Sequence, residues 1–288
     1  MKLPLAQSKW QRNPRAKYYH KLVNLRFMPT DPMLLKEFSP SSDELKAKPW
    51  GFWVTLGFSA IVFAFFFALP FLIMIAVLFL AKVSHHELDL EVHAKSLFSS
   101  GFFLAITEIV SGLICAPLTL LFARLRKNIL VKDYIGFRKP SKREWAKWLL
   151  ILAALLFLSD VVSLLLRQPI IPPFMVDAYK TAYFLPALLF AIIVVAPIFE
   201  EILFRGFLFQ GIRYSRLGPM GAIGITSFFW AIIHLQYDIY GIATIFVLGL
   251  LLGTVRLKTD SIYLLIVMHS LASLAATVET AVYVHSMG

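Results

Sequence analysis

Three features of this chain predict an all-α, polytopic transmembrane bundle of about seven spans. Apolar residues make up 59% of its 288 residues and charged residues only 16%, too greasy for a soluble globule of this length. Nearly uncharged stretches of about eighteen or more residues recur, each long enough to cross a bilayer. The cations are also distributed unevenly. Of 28 Lys and Arg, 24 fall in the N-terminal tail and alternate connections and only four (Lys82, Lys95, Arg167, Lys180) in the others, as the positive-inside rule requires. The net charge of +11 therefore points to anionic lipid at basic cytoplasmic loops and not to nucleic acid.

Taken in order, residues 1–49 read as a basic cytoplasmic tail with no core of its own, and 50–181 as a set of N-terminal transmembrane helices. Residues 182–283 read as a helical core that holds the chemistry. The spans run Trp50–Leu80, with Pro70 a kink or boundary, Phe98–Leu121, Trp148–Leu166, Ala182 to about Tyr214, Leu217–Tyr237, Ile239–Val255 and Ser261–Tyr283. This puts the N-terminus in the cytoplasm and the C-terminus outside. Trp50, Trp53, Trp145 and Trp148 fall at proposed membrane edges, as an aromatic belt does. The first forty-nine residues are polar and the first apolar run is too long for an h-region, so no cleaved signal is expected. The single Cys115 excludes an intrachain disulfide and reads as apolar filler.

The chemistry gathers where an uncharged run of nineteen residues, Thr181 to Phe199, meets Glu200, Glu201 and, four residues on, Arg205. An ionisable residue in a bilayer costs about 2.5–3.5 kcal/mol by insertion scales, so such residues are normally kept for function. Two later spans carry one histidine each, His234 and His269. At 1.5 Å rise per residue, Glu200 lies roughly 21 Å and His234 roughly 24 Å from the turn joining their spans. His269 and Ser273 come out roughly 13 and 20 Å into the last span, one turn apart on one face. Four polar side chains thus converge on one depth, the parts needed to activate a water molecule. Glu201 and Arg205, at i and i+4 with the acid first, are placed for an ion pair. Glu200 points about 100° away and is left for chemistry. Glu108, Asp160 and Glu279, taken singly, read as interhelical hydrogen-bonding groups. His85, His86 and His93 read as polar loop residues rather than a metal site.

The sequence Glu200-Glu201-Ile202-Leu203-Phe204-Arg205 resembles the first motif of the CPBP family of intramembrane proteases. That family includes type II CAAX prenyl endopeptidases and bacteriocin-processing or self-immunity proteins. Trp230-Ala231-Ile232-Ile233-His234 resembles its Phe-x-x-x-His motif, with Trp230 in the aromatic position as a packing exchange. Gly249, Gly253, Thr259, Ser261-Ile262 and His269 resemble its third region, with Ser273 where Asn or Asp is usual. The resemblance covers about residues 182–275. It implies an endopeptidase that cuts a membrane-embedded or lipidated peptide, in a membrane such as the bacterial inner membrane. Glu200 and His234 would deprotonate a water, and His269 with Ser273 would stabilise the oxyanion. It also implies one of two versions of the site, a zinc metalloprotease with Glu200, His234 and His269 as ligands, or a metal-free glutamate mechanism. A non-catalytic membrane chaperone or bacteriocin-immunity-type binding protein on the same fold is the competing expectation. A proton-coupled transporter is a third, which the lack of internal symmetry disfavours.

Overall fold

The computed structural model describes residues 48–84 and 89–286. The N-terminal tail up to residue 47, His85 and His86 lie outside the described residues. Among the described residues ten helices follow one another: α1 (Phe52–Ser84), α2 (Leu90–Phe98), α3 (Gly101–Arg124), α4 (Val131–Ile135), α5 (Lys142–Leu165), α6 (Pro173–Lys180), α7 (Leu185–Arg213), α8 (Gly218–Ile232), α9 (Ile239–Thr259) and α10 (Ile262–Ser286). Six of them, α1, α3, α5, α7, α9 and α10, are long and apolar enough to cross a membrane. The protein is an integral membrane helical bundle. Its lipid-facing sides carry exposed Phe, Leu and Ile, as on α1 at Phe65, Phe71, Leu72, Ile75 and Phe79.

Helix ends follow local chemistry. Asp89 accepts from the amides of Glu91 (3.0 Å) and Val92 (3.2 Å) and starts α2. Ser141 and Glu144 form a reciprocal capping box on α5. Pro173 opens α6 and Pro219 lies in the first turn of α8, where the missing amide costs nothing. Asp238 accepts from the Gly241 amide at 2.8 Å and starts α9. Three of the expected polar connections contain helix: α2 and α6 lie in the two on one side, and α4 lies in the basic stretch on the other. Pro70 lies within continuous α1 rather than at a boundary.

The fifth expected span is the main departure. Helix α8 has 15 residues, roughly 22 Å at 1.5 Å per residue, short of the ~30 Å hydrocarbon core. Hydropathy extends it to Tyr237, but the chain leaves the helix before His234. The His234 ring Nδ1 then donates to the Trp230 carbonyl at 2.8 Å, filling one of the acceptors a helix C-terminus leaves open. Hydropathy averages over a window and does not register a side chain that ends a helix. The small residues of α9 let α8 come close: a Cβ on Gly249 would lie 2.9 Å from the Ser227 Cβ.

The basic stretch between α3 and α5 is docked, not loose. Tyr134 and Ile135 are buried, and the Tyr134 carbonyl accepts from Gln210 Nε2 of α7 at 3.2 Å. Gly136 turns the chain at φ 86°, and its carbonyl accepts from the Ile262 amide at 2.8 Å. Phe137 and Ser261 form an antiparallel bridge. A Cβ on Gly136 would sit 2.3 Å from an Arg256 guanidinium nitrogen. Gly136→Ala therefore adds left-handed strain of roughly 1–2 kcal/mol and displaces Arg256. The expected result is a lower midpoint of thermal unfolding in detergent, with a neutral exchange at exposed Lys139 as the control; an unchanged midpoint would contradict this account of the turn.

Candidate active site

Helix α7 is not a plain α-helix. It widens to π geometry over Ala191–Val195 and again over Glu201–Leu208, so Glu200 ends an α-helical turn and Glu201 begins a π stretch. Such insertions recur at functional sites because they re-aim side chains within a helix. All eight residues of Glu201–Leu208 are buried. Arg205 Nη1 donates to Glu201 Oε1 at 2.8 Å with both side chains fully buried, which is the ion pair read from the i, i+4 spacing. The Arg205 carbonyl accepts from Arg256 Nε of α9 at 2.8 Å. Arg256 is itself fully buried and also donates to Asp260 Oδ1 at 2.5 Å. Both arginines thus lie inside the bundle, not at its edge as a count of loop cations assumes.

The same Glu201 oxygen accepts from His269 Nδ1 of α10 at 3.0 Å. With Nδ1 committed to a carboxylate, the His269 Nε2 atom faces Glu200 Oε2 at 4.0 Å. Glu200 Oε2 accepts in turn from the Trp230 indole N–H of α8. Trp230 is the hub of the site. Its ring carries the Arg205 guanidinium on one face, 4.3 Å from the centroid. His269 packs edge-on at 5.0 Å and His234 at 5.5 Å.

Above this hub lies a cavity of about 560 Å³. Glu200, His234, His269 and Ser273 all line it, as do Trp230 and Glu108. The depth calculation from sequence thus holds for the four residues, although His234 reaches the cavity from just beyond a helix end. Glu201 and Arg205 stand behind the wall and do not line it. The His234 Nδ1 proton faces a carbonyl, which only accepts, so its Nε2 is the proton-accepting nitrogen when the ring is neutral.

Two contributors escape motif reading. Trp230, expected to be packing, binds Glu200; the sequence signal was the indole N–H that Phe lacks. Glu108 of α3 lines the cavity, and its Oε1 is buried with no hydrogen-bond partner among the described residues. It lies far from the motifs in sequence, and only its cost in an apolar helix marked it. Asp160 lines a smaller neighbouring space, and Glu279 lines neither. His93 is exposed, with Nδ1 3.1 Å from the Asp89 carbonyl.

The donor set was tested for a metal. Among the described residues no three His, Cys, Asp or Glu side chains come together as ligands. His269 and His234 are each bonded through Nδ1, which leaves both Nε2 atoms and the second oxygen of Glu200 free of those bonds. Such a set has the chemistry of a metal site, but Glu200, His234 and His269 are not gathered as a three-ligand cluster.

Residues 182–275 match a family model described as type II CAAX prenyl endopeptidase Rce1-like. This segment is Rce1-like. It comprises α7, α8, α9 and the first half of α10, and every residue of the Glu200–Ser273 constellation falls in it. The resemblance read from the motifs is thereby supported over these residues. Helices α1 to α6 lie outside the match. Comparisons with curated proteins and with solved structures returned no match.

Removing one member of a buried pair strands the other charge, at about 3–5 kcal/mol. Arg205→Met is thus expected to lower the unfolding midpoint sharply, and Arg205→Met with Glu201→Gln to recover much of the loss. A double variant no more stable than the single would mean that the pair does not govern this helix.

Proposed function

We propose that the protein is an intramembrane endopeptidase that hydrolyses a peptide bond in a membrane-associated, in some cases lipidated, substrate. The observation that carries this reading is the one cavity that Glu200 of α7, His234 beyond α8, and His269 and Ser273 of α10 all line. Glu200 and the His234 Nε2 atom bind a water and take its proton as its oxygen attacks the scissile carbonyl. His269 and Ser273 face the developing oxyanion. Glu200 then returns the proton to the leaving amine, so that one water is consumed per bond cut. Glu201 is a positioning residue: it holds His269 by Nδ1 and is itself held by Arg205. Trp230 orients the Glu200 carboxylate.

The N-terminus and the basic loops face the cytoplasm and the C-terminus lies outside, on the charge asymmetry of the connections. A bacterial inner membrane is the setting we favour, with anionic lipid against the basic loops. One observation favours a second reading, a non-catalytic binding or immunity-type protein: Ser273 stands where the family carries an amide.

Glu200→Gln and His234→Ala are expected to lower cleavage of a fluorogenic lipidated peptide by about 10²–10⁴-fold, in protein that remains folded. Wild-type rates in either would end the protease reading. Ser273→Asn is expected to raise the rate, because an oxyanion donor is worth about 2.7–4 kcal/mol. A silent wild type with an active Ser273→Asn would favour the binding-protein reading instead. Chelators are expected to leave the rate unchanged, since Glu200, His234 and His269 are not gathered as a three-ligand cluster; loss on chelation with recovery on added zinc would overturn that.

A further inference from the structure

The catalytic cavity has a neighbouring space, which we take as its mouth. A second space of about 310 Å³ adjoins it, and the two share Ser159, Phe174, Gln236, Tyr237, Tyr240 and Thr244. Its walls come from the end of α5, the α5–α6 connection, the α8–α9 connection and the start of α9. All four lie at the end of the bundle remote from α4 and from the turns joining α7 to α8 and α9 to α10. Those remote turns are where the cations are. Apart from the buried Arg205 and Arg256, 13 of the described Lys and Arg lie at that basic end and four at the end with the mouth. By the positive-inside rule the mouth faces away from the cytoplasm.

Its charge is equally one-sided. Neither space is lined by a lysine or arginine, whereas Asp160 and Asp238 line the outer one and Glu108 and Glu200 the inner. Asp238 is held in place as the cap of α9. In the outer space the Ser163 and Tyr240 hydroxyls bond each other at 2.8 Å. A low-dielectric cleft lined by one sign of charge concentrates the opposite sign. The inner walls, by contrast, are mostly apolar, with Leu, Ile, Val and Ala supplying half of the lining residues.

We infer that substrate reaches the catalytic cavity from the extracytoplasmic face, through an acidic vestibule that favours an apolar peptide flanked by positive charge. This deepens the protease reading and rests on it only for the word substrate.

The test separates access from catalysis. In a Cys115→Ser background, Gln236→Cys at the mouth and Lys139→Cys at the basic end are exposed to a membrane-impermeant maleimide in right-side-out and inverted vesicles. Gln236→Cys is expected to label only in right-side-out vesicles and Lys139→Cys only in inverted ones. The reverse pattern, or mouth labelling in inverted vesicles, overturns the entry side, whatever the enzyme does. Binding of an apolar decapeptide flanked by two lysines is then compared with its two-glutamate counterpart on the purified protein, by anisotropy and without reference to turnover. The lysine form is expected to bind roughly tenfold or more tightly, with the gap narrowed by Asp160→Asn and by high salt. Equal affinities, or a preference for glutamate, overturn the charge selection. Binding with this preference but without cleavage would count against the protease reading and leave the present inference standing.

Discussion

The site depends on a buried ion pair to which three other helices of the bundle are fastened. A fully buried Glu201 and Arg205 would be costly if they had only each other, because desolvation can exceed the Coulombic gain. Here the pair is drawn into a larger arrangement. Glu201 Oε1 also takes the His269 proton, Arg205 stacks on Trp230, and the Arg205 carbonyl is bonded by Arg256. Each contact comes from a different helix, so the pair fastens α7 to α8, α9 and α10 at one level. Its consequence for chemistry is orientation: His269 can present only Nε2 to the cavity, and Glu200 is left on the adjoining face.

The irregular backbone of α7 belongs to the same arrangement. In a regular helix, adjacent residues point about 100° apart, and a π stretch shifts that register from its first residue onward. The change of pitch falls between Glu200 and Glu201, where one carboxylate lines the cavity while its neighbour is withdrawn into the protein. Two adjacent glutamates in one apolar helix thereby acquire different surroundings, one able to meet water and one sealed with a guanidinium. The short α8 contributes comparably. By ending before His234 it frees that side chain to cap the helix through Nδ1 and to offer Nε2 to the cavity.

Much of this was legible in residue order. The helical class, the i, i+4 pair and the shared depth of Glu200, His234, His269 and Ser273 follow from hydropathy, helical rise and spacing. What escaped was contact-dependent. The role of Trp230 requires knowing that its indole N–H meets a carboxylate thirty residues away, and Glu108 requires knowing that α3 packs beside α7. The end of α8 was misread because Ile232, Ile233 and Leu235 keep the local hydropathy high while the chain already turns. The basic stretch after α3 gave no sign that Tyr134, Ile135 and Gly136 dock beneath the α9–α10 turn.

By itself the sequence determined that the chain lives in a membrane as helices, since no other structure satisfies the backbone of such long apolar runs. It also determined which charged groups had to be buried together, because lone charges there are too costly to keep. The tertiary structure decided which glutamate faces the cavity and which nitrogen each histidine presents. Those depend on where separate helices touch and where one helix departs from its regular pitch, and neither is written in the composition of any single segment.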